Sequence, residues 1–539
     1  MALTERIATL TEQIATLTER NATLTEWRRR FRTQPSEGSP YWLTRFVLLR
    51  ALGFVYLIAF LSLGNQLLPL IGSQGLLPAV DLLELDPSHP TRLAAFLDYP
   101  TLFWFRCTDA FLTTSCWIGV ALSAAVFLGY ANAIVMTALW FLYLSFVQIG
   151  QTWYGFGWEY QLLETGFLAI FLCPLLDGRP FPRTPPPVVV VWLFRWLLFR
   201  VMLGAGLIKL RGDPCWSELS CLDFHFETQP IPHPVSWLYH NLPDWTHRSG
   251  VVVNHLAEVI APFFVFGPRV ARHIAGALMV AFQIALISSG NLAFLNWITL
   301  VAALACFDDS IWRRITPSRM VGISERAAQS SRRSWASAAA VAALCVTVAV
   351  LSANPVANLL SNRQVMNTSF DRLRLVNTYG AFGSVGRHRD ELILEGTRDA
   401  VITEETAWRE YEWKCKPGNP HRRPCFVTPY HYRLDWLIWF AAMSNYERHP
   451  WVVHLIWKLL HNDAGALSLL AGNPFPEGPP KFVRAELYRY EFTDWGDESD
   501  AWWKRERVRD YIAPLSVDNA RLHAYLERHG WIDRPNGPG

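Results

Sequence analysis

The sequence predicts a membrane protein: an α-helical bundle of about nine spans, followed by a mixed β/α domain on the extracytoplasmic side. Three observations predict this class. Apolar stretches of membrane length fill the chain from Phe46 to Ala353 and then stop. The remaining residues, 354–539, are polar and rich in tryptophan and contain no further run of that length. Arginine, finally, is distributed unevenly between alternate connections of the bundle.

Nine apolar stretches approach the roughly 17 to 25 residues with which a helix crosses the hydrocarbon core. They are residues 46–63, 111–129, 133–149, 158–176, 188–207, 251–266, 274–288, 292–307 and 335–353. We therefore expect a transmembrane domain over residues 41–353 in contact with the lipid bilayer. Because more than forty hydrophilic residues precede the first stretch, no cleavable signal peptide is expected, and the first span would itself direct insertion.

The arginines indicate which side of the membrane each end of the chain occupies. They gather before the first span and in the even-to-odd connections, namely Arg28, Arg29, Arg30, Arg32, Arg45, Arg179, Arg183, Arg269, Arg272, Arg313, Arg314, Arg319, Arg326, Arg332 and Arg333. Cytoplasmic loops carry such an excess, so the N-terminus is expected in the cytoplasm. An odd number of spans then places the C-terminal domain, residues 354–539, in the lumen or periplasm. The net charge of only +3 argues against a nucleic-acid partner.

Residues 1–34 form a heptad-repeat leader with the phrase LTERIAT, LTEQIAT, LTERNAT. Ile7, Ile14 and Asn21 fall at one core position of the repeat and leucines at the other, which is typical of a parallel two-stranded coiled coil. Roughly three heptads are marginal for stability. The leader is therefore either a homodimerisation helix or a lone amphipathic helix.

Two cysteine pairs lie on the expected outer side, where disulfides persist. Cys215 and Cys221 follow the fifth span, and Cys415 and Cys425 bracket a turn in the C-terminal domain. We predict two local disulfides, with free thiols as the alternative. Neither pair has zinc-finger spacing, so no metal site is predicted.

The expected spans contain a set of polar residues that membrane insertion does not require. They are Glu159, Glu164, Arg195, Arg200, Lys209, Asn254, His255 and Glu258. A charge centred in lipid costs at least ~2.5 to 3.5 kcal/mol, so such groups are expected to face the bundle interior and pair. One interpretation is structural pairing. The other is a polar pocket that binds or transforms a ligand, with Lys209 as candidate general base; no cofactor is predicted, and lipid and quinone both remain open.

The C-terminal domain has strand-like stretches at residues 370–376, 391–396 and 482–492, and helical spacing at 431–443 and 451–460. Trp436, Trp439 and Phe440 lie on an apolar face of the first helix. They favour three interpretations: a domain resting on the bilayer surface, an ordinary aromatic core, or a groove that anchors exposed apolar segments of a client protein.

The longest motifs resemble the lipase maturation factor family. They are NTYGAFGSV at 377–385, ELILEGT at 391–397, YEWKCKPGNPHRRPCFVTPYHYRLDWLIWFAA at 411–442, and WYGFGWEYQLLETGFLAIFL at 153–172. The likeness covers the chain from about Tyr41 to Ile532. It implies a multi-pass, chaperone-like protein of the endoplasmic reticulum in animals that helps secreted lipases mature, with the outer domain facing the client. A bacterial source would imply the inner membrane.

GAGLIKL at 204–210 is more distantly similar to the vitamin K-dependent gamma-glutamyl carboxylases. That resemblance implies that Lys209 helps to generate the catalytic base. Lys209 is the only residue to which the resemblance assigns a role. The leading hypothesis is therefore a maturation factor that performs no chemistry, and the alternative is a membrane enzyme acting on an outer-side polypeptide with a hydrophobic cofactor. The first predicts that Lys209→Ala spares client maturation while Trp436→Ala or Trp439→Ala impairs it. Transport is a third hypothesis, weakened because no inverted repeat of broken helices is evident.

Overall fold

A computed structural model describes residues 40–83, 91–332 and 334–532. The heptad leader lies outside these ranges, so its coiled coil stays a prediction. The described chain is a helical bundle followed by a small antiparallel sheet flanked by helices. The class expected from the sequence, a helical membrane protein with a β/α domain, is confirmed.

The bundle begins with the first described helix and runs to residue 360. Its helices are α1 (Trp42–Gly64), α2 (Leu67–Ile71), α3 (Ala79–Leu82), α4 (Arg92–Asp98), α5 (Asp109–Leu128), α6 (Ala133–Ile149), α7 (Gly157–Ile170), α8 (Val188–Arg211), α9 (Leu222–Thr228), α10 (Pro234–His240), α11 (Asp244–His255), α12 (Arg269–Ser289), α13 (Leu295–Ala303), α14 (Asp309–Ile315), α15 (Ser318–Gln329), α16 (Trp335–Leu351) and α17 (Ala353–Leu360). Helix α11 continues as a π turn, Leu256–Ile260, and a 3-10 turn, Ala261–Phe266. Pro262 lies in this 3-10 turn. The helix changes pitch here because proline has no N–H to donate to the preceding turn.

Six helical segments in the described ranges are long and apolar enough to cross a membrane. They are Trp42–Gly64, Asp109–Leu128, Val188–Arg211, Asp244–Phe266, Arg269–Ser289 and Trp335–Leu360. Helices α6 and α13 are apolar but shorter. Helix α7 covers only the first part of the expected span 158–176, because the chain leaves the helical conformation ahead of Pro174. The count of nine spans stays a prediction, as does the domain boundary at residue 353.

The connections that the arginine pattern assigns to the cytoplasm lie together at one end of the bundle. The carboxylate of Asp309 accepts the first three backbone N–H groups of α1 at 2.9 to 3.1 Å. Arg45 donates to the carbonyl of Thr184 at 2.8 Å, and Arg272 pairs with Asp308 at 3.0 Å. We call this the arginine-rich end.

The C-terminal domain packs against the opposite end of the bundle. Gln66, just after α1, accepts the backbone N–H of Arg433 at 2.7 Å and donates to the carbonyl of His431 at 3.0 Å. His454 Nδ1 contacts the carbonyl of Leu76 at 2.8 Å. Buried contacts like these join the C-terminal domain to the bundle.

The C-terminal domain contains one antiparallel sheet of order β2-β1-β3-β4. Its elements are β1 (Arg389–Thr397), β2 (Arg409–Tyr411), α18 (Arg433–Ala442), α19 (Trp451–Leu460), α20 (Ala464–Ser468), β3 (Phe482–Phe492), β4 (Trp503–Leu515) and α21 (Ala520–Arg528). The strand expected over 370–376 is wrong. There the carboxylate of Asp371 accepts the N–H groups of Leu375 and Val376, at 3.0 and 3.2 Å, so those donors are used in a local turn.

Candidate functional site

The polar residues predicted within the membrane fall into separate groups. Arg195, on α8, contacts no carboxylate among the described residues. Its guanidinium donates to the carbonyl of Ala305 at 2.9 Å and to the hydroxyl of Tyr41 at 2.7 Å. Arg195 therefore ties helices together near α1 and does not line either of the two cavities described below.

Glu164 and Arg200 form a fully buried ion pair between α7 and α8. The C-terminal domain completes this group. Glu164 accepts the backbone N–H of Asn377 at 3.0 Å and the hydroxyl of Tyr379 at 2.7 Å, while Arg200 donates to the carbonyl of Asn377 at 2.6 Å. The NTYG segment is thus anchored inside the bundle by charge-assisted hydrogen bonds.

Glu159 pairs with Arg433 of α18 at 2.8 Å, and both side chains are completely buried. The indole of Trp158 donates to the same carboxylate at 3.1 Å, and the hydroxyl of Tyr143 donates to it as well. The Arg433 guanidinium lies 3.5 Å from the ring centre of Tyr154. The pair is a second anchor of the C-terminal domain.

Lys209, Asn254 and Glu258 form a third buried set, which we call the lysine group. Lys209 Nζ contacts Glu258 Oε1 at 2.8 Å, Glu258 Oε2 at 2.7 Å and Asn254 Oδ1 at 2.8 Å. An ammonium has three donors, and these contacts use all of them. His255 lies apart, since its Nε2 contacts the carbonyl of Trp216 at 3.0 Å.

The lysine group lines a cavity of about 250 Å³ inside the bundle, which we call the inner cavity. Its walls are mainly apolar, and several of its other polar groups are paired. Gln161 donates to Thr299 at 3.0 Å, and Asn296 donates to Gln283 at 2.8 Å. The wall of the inner cavity is therefore polar in part. Its described charged residues, Lys209 and Glu258, are paired with each other.

A larger cavity, about 1020 Å³, lies between the bundle and the C-terminal domain. We call it the outer cavity. The client-contact candidates Trp436, Trp439 and Phe440 all line it, together with Phe156, Trp158 and the 380–386 segment. Trp436 is buried against Trp158, with ring centres 4.8 Å apart. Trp439 donates to the carbonyl of Thr228 at 3.1 Å, so its indole edge is fixed while its ring faces the cavity.

The two cavities adjoin. They share the lining residues His225, Leu292, Leu295, Asn367, Gly380, Ala381 and Phe382. His225 is 5% exposed and lies edge-on to Phe382, with ring centres 4.7 Å apart. Burial lowers its pKa to about 3, with a further contribution from the charge of Lys209, so the imidazole is neutral at physiological pH.

Both predicted disulfides, Cys215–Cys221 and Cys415–Cys425, are formed in the structure. In the part of the chain that the structure describes, no group of three or more histidine, cysteine or acidic side chains could hold a metal ion.

Sequence reasoning missed a buried ionic group in the C-terminal domain. Glu391 pairs with Arg389 and Lys416 at 2.5 Å each, and all three side chains are fully buried. Burial lowers the pKa of Lys416 to about 8 against the attraction of Glu391. Burial likewise raises the pKa of Asp435 to about 6, although its carboxylate accepts the backbone N–H groups of residues 415 and 416.

Three further residues were missed: Arg433, Asn377 and Tyr379, which anchor the domain to the bundle. The available signal was an arginine in the otherwise aromatic and apolar run at 430–442. Nothing in the sequence pairs that arginine with Glu159, since the two are 274 positions apart.

Fold and site together define a multi-pass membrane protein in which an extramembrane domain closes one end of a polar-cored helical bundle. Residues 43–314 match the model of the lipase maturation factor transmembrane domain, and residues 375–513 match that of the lipase maturation factor C-terminal domain. The chain belongs to the lipase maturation factor family, as the sequence motifs predicted.

Similar proteins extend over nearly the whole chain. Lipase maturation factor 1 of Bos taurus is 50% identical over 93% of this chain and 94% of its own length. Lipase maturation factor 1 of Homo sapiens is 48% identical over 91% and 90% respectively. Lipase maturation factor 2 of Xenopus laevis is 30% identical over 92% and 85%. No solved structure matches the chain significantly.

Proposed function

We propose that this protein is a maturation factor for secreted lipases, embedded in the endoplasmic reticulum membrane, and that its outer cavity contacts the folding client. The relatives named lipase maturation factor 1, about half identical over almost the full length, support the client class. In a bacterial cell the corresponding location is the inner membrane.

The observation that carries the client-contact proposal is the outer cavity. Its walls come from both domains and present Trp436, Trp439 and Phe440. Rigid aromatic anchors in a desolvated recess are the residues that dominate binding energy at protein interfaces. Met443, 56% exposed at the same cavity, adds a flexible apolar side chain suited to varied partners.

Sidedness supports the same proposal. The arginine-rich end is opposite the end that carries the C-terminal domain, so a cytoplasmic location of the arginines places the outer cavity on the secretory side. A newly translocated polypeptide can reach it there.

The test is co-expression of a secreted lipase with the full-length protein or its variants. We expect Met443→Lys and Phe440→Ala to lower the secreted lipase activity several-fold, because they place a charge in the outer cavity or remove an anchor. Val401→Lys, at a position that is 70% exposed and outside the cavity, is the control and should leave activity unchanged. Equal activity in all three variants, at equal membrane expression, would contradict client contact at this cavity.

A membrane enzyme is the second candidate. Lys209 lies on the wall of a cavity that adjoins the outer cavity, which favours chemistry on a client that enters from outside. Against it, the ammonium is held as an ion pair with every donor used. Unmodified intact mass in every co-expressed client would exclude this candidate.

A further inference from the structure

The inner cavity has features of a ligand site that do not depend on the proposed function. The first is His225. Its ring is more than nine-tenths buried and lines the inner cavity, yet neither ring nitrogen has a hydrogen-bond partner among the described residues. These nitrogens are not among the fully enclosed unpaired polar atoms of the described residues, so they are accessible from the cavity. A neutral imidazole offers one donor and one acceptor, which is the complement of a hydroxyl group.

The second feature is the shape of the wall. Val253 on α11 and Ala285 on α12 both line the inner cavity and are both exposed. Val252 on α11 and Leu256 and Ile260 on the π turn that follows are exposed apolar side chains. We call the part of the wall that contains Val253 and Ala285 the lateral window, because both residues line the cavity and are also exposed on the bundle surface.

The third feature is the balance of charge. Lys209 and Glu258 neutralise each other inside the cavity wall. Among the other polar lining residues, Gln161 pairs with Thr299, Asn296 pairs with Gln283, and His247 pairs with the carboxylate of Asp223. A charged head group would therefore enter a largely apolar space without a free counter-charge, at a high desolvation cost. An uncharged head group avoids that cost.

We propose that the inner cavity binds a neutral single-chain lipid, whose hydroxyl head group hydrogen-bonds to His225 and whose acyl chain lies toward the lateral window. A monoacylglycerol has this chemistry. Its hydroxyl supplies the missing partner of the imidazole, and its chain occupies the apolar walls that include Phe282 and Leu286.

The experiment uses the full-length protein in nanodiscs and a long-chain monoacylglycerol that carries a photoactivatable group on its acyl chain. Labelled peptides are mapped by mass spectrometry. We expect label on the segments that contain Val253 and Phe282, and displacement by unlabelled monoacylglycerol. Ala285→Trp, which fills the lateral window, should reduce labelling at least about tenfold. Ala281→Trp, one turn earlier on the exposed face of α12 and outside the cavity lining, is the matched control and should label normally.

Two further arms test the head group. His225→Phe keeps an aromatic ring against Phe382 and removes the hydrogen bond, so we expect affinity to fall about fivefold, the effect of one hydrogen bond. A fatty acid, a lysophosphatidylcholine and cholesterol should compete poorly. Equal labelling of the two tryptophan variants, unchanged affinity in His225→Phe, or equal competition by a charged lipid or the sterol would each overturn the proposal.

Discussion

At the scale of single residues, the bundle holds its buried charges in paired groups. Lys209→Met would leave the carboxylate of Glu258 buried with Asn254 as its remaining partner in the lysine group. Breaking a buried pair in this way costs about 3 to 5 kcal/mol. We expect a clearly lower midpoint of thermal unfolding for Lys209→Met in detergent. Adding Glu258→Gln should restore most of the loss, because the amide is uncharged and can still contact Asn254.

This prediction changes how the role of Lys209 must be tested. Loss of client maturation in Lys209→Ala alone would not distinguish chemistry from instability. The double variant Lys209→Met with Glu258→Gln removes the amine and the uncompensated charge together. A double variant as unstable as Lys209→Met would show that the pair does more than neutralise charge.

At the scale of elements, two disulfides close short loops in the described chain. The Cys415–Cys425 disulfide closes a loop with a sequence separation of 10, next to Lys416 of the buried ionic group. Loop-closure entropy for that length corresponds to about 2 to 3 kcal/mol. We expect the double variant, Cys415→Ser with Cys425→Ser, to have a lower unfolding midpoint than the parent protein in non-reducing conditions. In this variant, reductant can no longer lower the midpoint by breaking the Cys415–Cys425 bond.

The matched control is Cys345→Ser on α16, because Cys345 is a free thiol. Its unfolding midpoint should equal that of the parent protein. A double serine variant with the parent's midpoint would show that the disulfide does not stabilise the C-terminal domain.

At the scale of the whole molecule, the sequence predicted the features that depend on local composition, which are the positions of helices. The apolar runs mark the helices of the bundle, and α18 and α19 fall where helical spacing was found. The partners from the C-terminal domain were not predictable, because Arg433, which pairs with Glu159, and Asn377, which donates to Glu164, are each more than 200 positions away from the carboxylate. The strand expected at 370–376 failed for a local reason, since Asp371 accepts the backbone donors that a sheet would need.

The opposite placement of the arginine-rich end and the C-terminal domain leads to a prediction for the assembled protein. Glu404→Asn creates the acceptor motif Asn-Glu-Thr in an exposed loop of the C-terminal domain. Gln329→Asn creates Asn-Ser-Ser in an exposed stretch at the end of α15. N-glycosylation occurs only on the lumenal side of the endoplasmic reticulum, so the first variant, expressed in animal cells, should gain a glycosidase-sensitive mass shift and the second should not.

The parent protein, treated with the same glycosidase, provides the baseline for any native modification. A mass shift in Gln329→Asn without one in Glu404→Asn would reverse the orientation. The outer cavity would then face the cytoplasm, where no secreted client could enter it. The proposed role therefore depends on the side of the membrane at which loop 401–407 lies, and the two acceptor variants determine that side independently of any lipase assay.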